Sequence, residues 1–246
     1  MYRKILGICM ALVALGALAI GPASASAKTH LTDTSGGVTT LVGTNNLVKA
    51  IGTVGKFTAG SLTVNCNENM ITGTVDQNNS VTGEVKASIT KAQFDSSLTT
   101  SETDCESSLG ATRVKIPALE SPTNGSWCLQ NGAGDTGSVF GRACTTEGAG
   151  TITFILEVTG VTSCYYTRST PLAGTFDTPG ASKASMLTVT AGQTFTREAP
   201  SSTFFCPPEG SITEMTFGIY TDTAAGTGTK EWDDAASTAD PIWFAE

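Results

Sequence analysis

Apolar and polar residues alternate with a period of two along much of this chain, the signature of strands with one face buried. Val81, Val85, Ala87 and Ile89 fall on one side of a stretch whose other side carries Thr82, Glu84, Lys86, Ser88 and Thr90. Ile152, Phe154, Leu156 and Val158 repeat the pattern, as do Leu62/Val64/Cys66, Leu187/Val189/Ala191 and Met215/Phe217/Ile219. Turn formers, such as Asp76–Asn79 and Thr178–Gly180, separate the runs. No stretch shows three turns of amphipathic helix. Alternation with one face inward predicts an all-β fold, an antiparallel β-sandwich of Ig-like or jelly-roll-like form.

Two stretches echo each other. Ile71-Thr-Gly73-Thr-Val75-Asp76 is followed by Phe94 and Cys105, and Leu172-Ala-Gly174-Thr-Phe176-Asp177 by Phe195 and Cys206 at the same separations. A cysteine precedes each, Cys66 in the first and Cys164 in the second. This spacing suggests a duplicated β unit, each copy closed by its own disulfide.

The first residues change the picture of compartment. Arg3 and Lys4 precede an apolar run from Ile5 to Ile20, then Gly21-Pro22 and the small residues Ala23–Ala27. This is the build of a cleaved signal peptide over residues 1–27, the apolar run being short for a bilayer span. Residues 28–246 are then expected as one β-sandwich domain, with two related halves, about 28–118 and 119–246, as the alternative. No later segment has the length or apolarity of a transmembrane helix.

Cys9 leaves with the signal peptide, and Cys66, Cys105, Cys128, Cys144, Cys164 and Cys206 remain. An even count in an exported chain reads as disulfides. Zinc would want closely spaced thiols with imidazoles, and the one histidine is His30. Of the pairings open to six cysteines, the sequential one (Cys66–Cys105, Cys128–Cys144, Cys164–Cys206) keeps each copy of the echo closed on itself.

Composition adds two points. One residue in six is threonine, β-branched and suited to a half-exposed pleated surface. The formal net charge is −8, and it becomes more negative once Arg3 and Lys4 are removed. An acidic surface repels phosphate backbones, so nucleic acid is not an expected partner.

The chain resembles a group of secreted, cysteine-bearing, β-rich proteins of soil actinobacteria that have no assigned activity. The resemblance rests on His30-Leu-Thr-Asp33, Leu62-Thr-Val-Asn-Cys66, Ile71–Val75, Val81-Thr-Gly83, Trp127, Cys164-Tyr-Tyr166, Leu172–Phe176 and Phe205-Cys206-Pro207. It implies an exported β-rich protein. Cys128 and Cys144 stand outside that pattern.

Catalytic parts are scarce. His30, near the expected mature terminus, reads as the start of a first strand rather than a general base. There is no G-x-S-x-G, and oxidised cysteines supply no thiolate. Glu157 and Glu214 are the carboxylates that could serve a glycoside hydrolase, Glu214 if it were buried among the apolar residues beside it. The chain therefore reads as a secreted or envelope-associated binding or structural protein without catalysis. The alternative is an extracellular carbohydrate-binding module, and behind it a carboxylate-dependent hydrolase.

Tyr165, Tyr166, Tyr220, Trp127, Trp232 and Trp243 are the candidate aromatic platforms for a protein or glycan of the cell envelope. Trp232, among Glu231, Asp233 and Asp234, is the one expected to be exposed. With Asp240 these acids form a candidate for Ca²⁺, as does Asn131–Gly137. No cofactor is expected.

Overall fold

The computed structural model describes residues 30–35, 38–95, 104–119, 126–132, 135–177, 183–201, 204–221 and 241–245. The strands are β1 (His30–Ser35), β2 (Val38–Leu41), β3 (Leu47–Ala59), β4 (Leu62–Cys66), β5 (Glu68–Asn79) and β6 (Glu84–Asp95). They continue with β7 (Glu106–Ser107), β8 (Thr112–Lys115), β9 (Trp127–Asn131), β10 (Thr136–Phe140), β11 (Ile152–Val158) and β12 (Thr162–Arg168). The last are β13 (Leu172–Phe176), β14 (Met186–Val189), β15 (Gln193–Glu198), β16 (Glu209–Thr221) and β17 (Trp243–Ala245). A 3-10 turn, Pro117–Leu119, follows β8. The fold is all-β, and its ladders are antiparallel.

Two long strands organise the molecule. β3 and β16 pair from Val48–Thr221 at one end to Thr58–Ser211 at the other. The opposite edge of each is shared. β3 pairs through Leu47–Gly52 with β5 and through Gly55–Ala59 with β4. β16 pairs near Thr216–Gly218 with β14 and through Glu209–Ile212 with β15.

Two circuits follow from this split. The upper one, β3-β5-β6-β9-β10-β13-β14-β16, returns on itself as an eight-stranded barrel. The lower one runs β3-β4-β7, crosses the Cys105–Thr112 bridge to β8, and returns through β11, β12, β15 and β16.

The expected sandwich is corrected here. A sandwich keeps free edges, whereas these sheet edges meet, removing a row of unpaired backbone groups. Register shifts at Ile212/Glu214 and Thr216/Gly218 bend β16 where it passes from one circuit to the other.

Inward side chains of both circuits form one contiguous core. Phe57 meets Phe94 edge-on at 5.6 Å, Phe154 meets Phe195 edge-on at 4.7 Å, and Phe57 and Phe154 join the pairs at 5.6 Å. The disulfides are Cys66–Cys105, Cys128–Cys144 and Cys164–Cys206, with Cα separations of 4.7, 4.7 and 5.4 Å. A small sheet, β17-β1-β2, caps the upper end. It buries Leu31, Ile242 and Phe244, whose ring lies 4.3 Å from that of Phe176.

Most alternating runs fold as their pattern requires, with Ile152, Phe154, Leu156 and Val158 all buried. One boundary is corrected. Asp76–Asn79 belongs to β5, and the turn comes next, leaving Val81 72% exposed instead of inward. Asn79 explains the shift, because its Oδ1 accepts the amides of Val81 and Thr82 and its carbonyl accepts that of Gly83. Ala191 likewise lies exposed in the turn after β14.

Candidate functional site

The carboxylates singled out from the sequence lie on the outer surface. Glu214 follows the bulge in β16, which turns it away from the apolar face of Ile212 and Met215 toward Lys56 at 3.4 Å. Its side chain is 55% exposed, so the burial that would make it a general acid is missing. Glu157 pairs with Lys115 at 2.6 Å on β8.

Register aligns Glu106, Asn65, Lys56 and Glu214 in a row across β7, β4, β3 and β16. The two acids of that row stand three strand spacings apart, ~14 Å at the backbone, against the ~5–9.5 Å that separates the carboxyl groups of a hydrolytic pair.

The aromatic candidates divide by burial. Tyr166 and Trp127 are core residues, while Tyr165 and Tyr220 are half-buried. Burial pushes the Tyr166 phenol above its usual range, opposed by the nearby Arg197 guanidinium. Its hydroxyl donates to the Pro207 carbonyl at 3.2 Å. Trp243 lies in β17 and His30 opens β1, but their side chains are outside the described residues. Trp232, Glu231, Asp233, Asp234 and Asp240 lie outside them altogether.

Asn131 is committed to structure, since its Oδ1 accepts the Val85 amide and its Nδ2 donates to the Gly83 carbonyl. Among the described residues, no group of three or more His, Cys, Asp or Glu comes together as a metal site. No described helix is long and apolar enough to cross a membrane.

The lower end of the molecule carries what sequence reasoning missed. Four connections meet there in a closed ring. Ser108, between β7 and β8, bonds to Thr63 and Ser61 at the β3–β4 turn. Thr159, between β11 and β12, donates its amide to Ala111. Cys206, between β15 and β16, is bonded to Cys164 of β12, and Pro207 lies against Gly60 of the β3–β4 turn.

Three of these connections lift large apolar side chains into solvent: Leu109 (47% exposed), Val161 (46%), and Phe204 and Phe205 (86% and 44%). The two rings meet edge-on at 4.8 Å. The signal was present in Phe204-Phe205-Cys206-Pro207-Pro208. Neighbouring apolar residues cannot both face inward on a strand, and the prolines that follow prevent the ladder from continuing.

A second surface feature lies on β12 and β15. Thr167 and Thr196 are register partners there. With Thr194, Arg168 and Glu198 they line a polar groove of ≈ 500 Å³. Arg168 is anchored by donating to the backbone carbonyls of Thr170 and Thr194, and Thr167 donates to Glu198.

Compared with protein-family models, curated proteins and solved structures, the chain matches none. The fold and these two surfaces therefore carry the functional reading.

Proposed function

We propose that this is an exported, non-catalytic protein that acts by contact, docking a protein of the cell envelope against its lower end. The observation that carries the reading is the exposure of Phe204 beside Phe205 on a disulfide-held connection. An exposed Phe forgoes ~2 kcal/mol of burial free energy until a partner covers it. Rigidly held aromatic anchors are the residues that dominate binding energy at interfaces. The three disulfides favour an oxidising compartment, in keeping with the basic and apolar leader.

The experiment compares wild type with a Phe204→Ser/Phe205→Ser variant for retention on envelopes of the producing cell, with crosslinking to identify what is contacted. Retention should fall at least ~30-fold, the effect of losing one interface hot spot, while the melting temperature stays within a few degrees. Equal retention of the two proteins rejects the reading.

The groove favours a second reading, contact with a saccharide. Its threonine hydroxyls, anchored guanidinium and carboxylate offer both donors and acceptors to sugar hydroxyls. Binding on a glycan array, lost in Arg168→Ala and kept in the double Phe variant, would select it.

The echo in the sequence also has structural support. Gly73 and Gly174 each lie where a side chain would strike the next strand's backbone, at Ser88 and Thr188. Phe94 and Phe195 occupy matching places in the aromatic cluster. These correspondences support a duplicated, disulfide-closed unit as the origin of the fold.

A further inference from the structure

The polar groove on β12 and β15 holds two opposite charges that do not meet. Arg168 and Glu198 both line it, and each is held by neutral groups instead of by the other. Arg168 directs Nε to the Thr170 carbonyl at 3.1 Å and Nη1 to the Thr194 carbonyl at 2.9 Å, which leaves Nη2 with no protein acceptor. Glu198 accepts the Thr167 hydroxyl on Oε1 at 3.1 Å, and Oε2 has no protein donor. The groove therefore offers a charged donor and a charged acceptor, both already positioned.

Register sets the gap between them. Thr167 lies opposite Thr196, two residues along β15 from the Thr194 carbonyl that holds the guanidinium. The carboxylate, bonded to Thr167, thus stands about one two-residue repeat, ~7 Å, from the level of the guanidinium. That is too wide for an ion pair and within the span of one small molecule resting over the threonines.

The charge of the whole chain narrows the choice of molecule. At a formal net charge of −8 the protein repels an approaching anion, and a plain cation would leave the guanidinium uncovered. A molecule that carries both charges avoids both costs.

We infer that the groove is a recognition site for a zwitterion, a small molecule with a carboxylate and a protonated amine close together. Arg168 Nη2–H donates to its carboxylate, and its ammonium donates to Glu198 Oε2. A free amino acid and a saccharide unit bearing both groups share that chemistry. The site rests on the same groove as the saccharide reading and is independent of docking at the lower end.

The test is a titration of the ¹⁵N-labelled chain lacking residues 1–27, following the amides of Thr194, Thr196 and Glu198 at pH ~6, where each free amine is protonated. L-Alanine is compared with N-acetyl-L-alanine, which keeps only the carboxylate, and with L-alaninamide, which keeps only the ammonium. Muramic acid is compared in the same way with N-acetylmuramic acid and glucosamine. In at least one series the zwitterion should shift the amides saturably and bind about threefold or more tightly than either analogue, the scale of an exposed ion pair. A response confined to alanine assigns the site to amino acids, and one confined to muramic acid assigns it to a saccharide.

Arg168→Gln should erase the preference over the ammonium-only analogue, and Glu198→Gln the preference over the carboxylate-only one. The assignment is overturned by the absence of a saturable shift with both zwitterions, by wild-type preferences below that margin, or by a preference that survives loss of its charge. Neutral glycans that bind the groove without such a preference reject the zwitterion and spare the saccharide reading. Should a variant fail to fold or to bind, the wild-type ratios alone decide.

Discussion

Phe57 of β3 and Phe154 of β11 face each other across the core with ring centroids 5.6 Å apart, each holding a second ring edge-on, Phe94 and Phe195 respectively. The pair thereby brings together Phe94, from the stretch closed by Cys66–Cys105, and Phe195, from the stretch closed by Cys164–Cys206, so the two stretches share one core instead of folding around separate ones.

Truncating this junction should be expensive. Phe154→Ala removes a buried ring that touches three others and should cost ~3–5 kcal/mol, with Phe154→Leu costing less. Urea denaturation measures both. A double-mutant cycle with Phe57→Leu should give a coupling of ~0.5–1.5 kcal/mol. Additive effects would show that the junction is incidental.

The disulfides should rank by the chain they enclose. Cys66–Cys105 and Cys164–Cys206 span 39 and 42 residues and Cys128–Cys144 spans 16. In the loop-entropy model each long closure contributes ~4 kcal/mol and the short one ~3. Removing a pair as Cys→Ala should lower the melting temperature in that order. Thiol titration of the protein lacking residues 1–27, under denaturing conditions, should find no free thiol.

Tyr166 makes the protein sensitive to alkali. Because burial raises the folded pKa above the unfolded value near 10, the folded state holds its proton where the unfolded state loses it. The contribution to stability is therefore intact below pH ~10 and declines as pH rises through the folded value. Tyr166→Phe should flatten that alkaline decline in urea midpoints between pH 8 and 11. At pH 8 it should cost ~1–2 kcal/mol, because the Pro207 carbonyl loses its donor.

Gly73 and Gly174 should differ in tolerance. A Cβ at Gly73 would lie 2.4 Å from the Ser88 carbonyl oxygen, and one at Gly174 would lie 2.8 Å from that of Thr188. Both obstacles are backbone, which cannot swing aside. Gly73→Ala should therefore destabilise more than Gly174→Ala, as chemical denaturation of the two variants would show.

Residues read well from the sequence are those governed by nearest neighbours. Ile152–Val158 alternates and forms a strand with its apolar side chains inward, because the pleat imposes the period locally. Val81 also alternates, yet it is exposed, because the Asn79 side chain captures two amides and places Val81 in the turn, so that β6 begins only at Glu84. Glu214 reaches solvent through a bulge that only its pairing with β3 reveals. The exposure of Phe204 was signalled by the prolines after it, but its placement at the same end as Leu109 and Val161 depends on three separate connections.

Strand content, the buried faces of most strands and a set of cysteines fit for crosslinking are determined by the sequence alone, since period and composition act over a few residues. Closure of the sheet was decided in three dimensions. A sandwich and a barrel demand the same inward–outward alternation along every strand, and they differ only in which edges meet. Here the decisive meeting, β3 with β16, joins segments more than 150 residues apart (Thr58 opposite Ser211), and no local pattern encodes that.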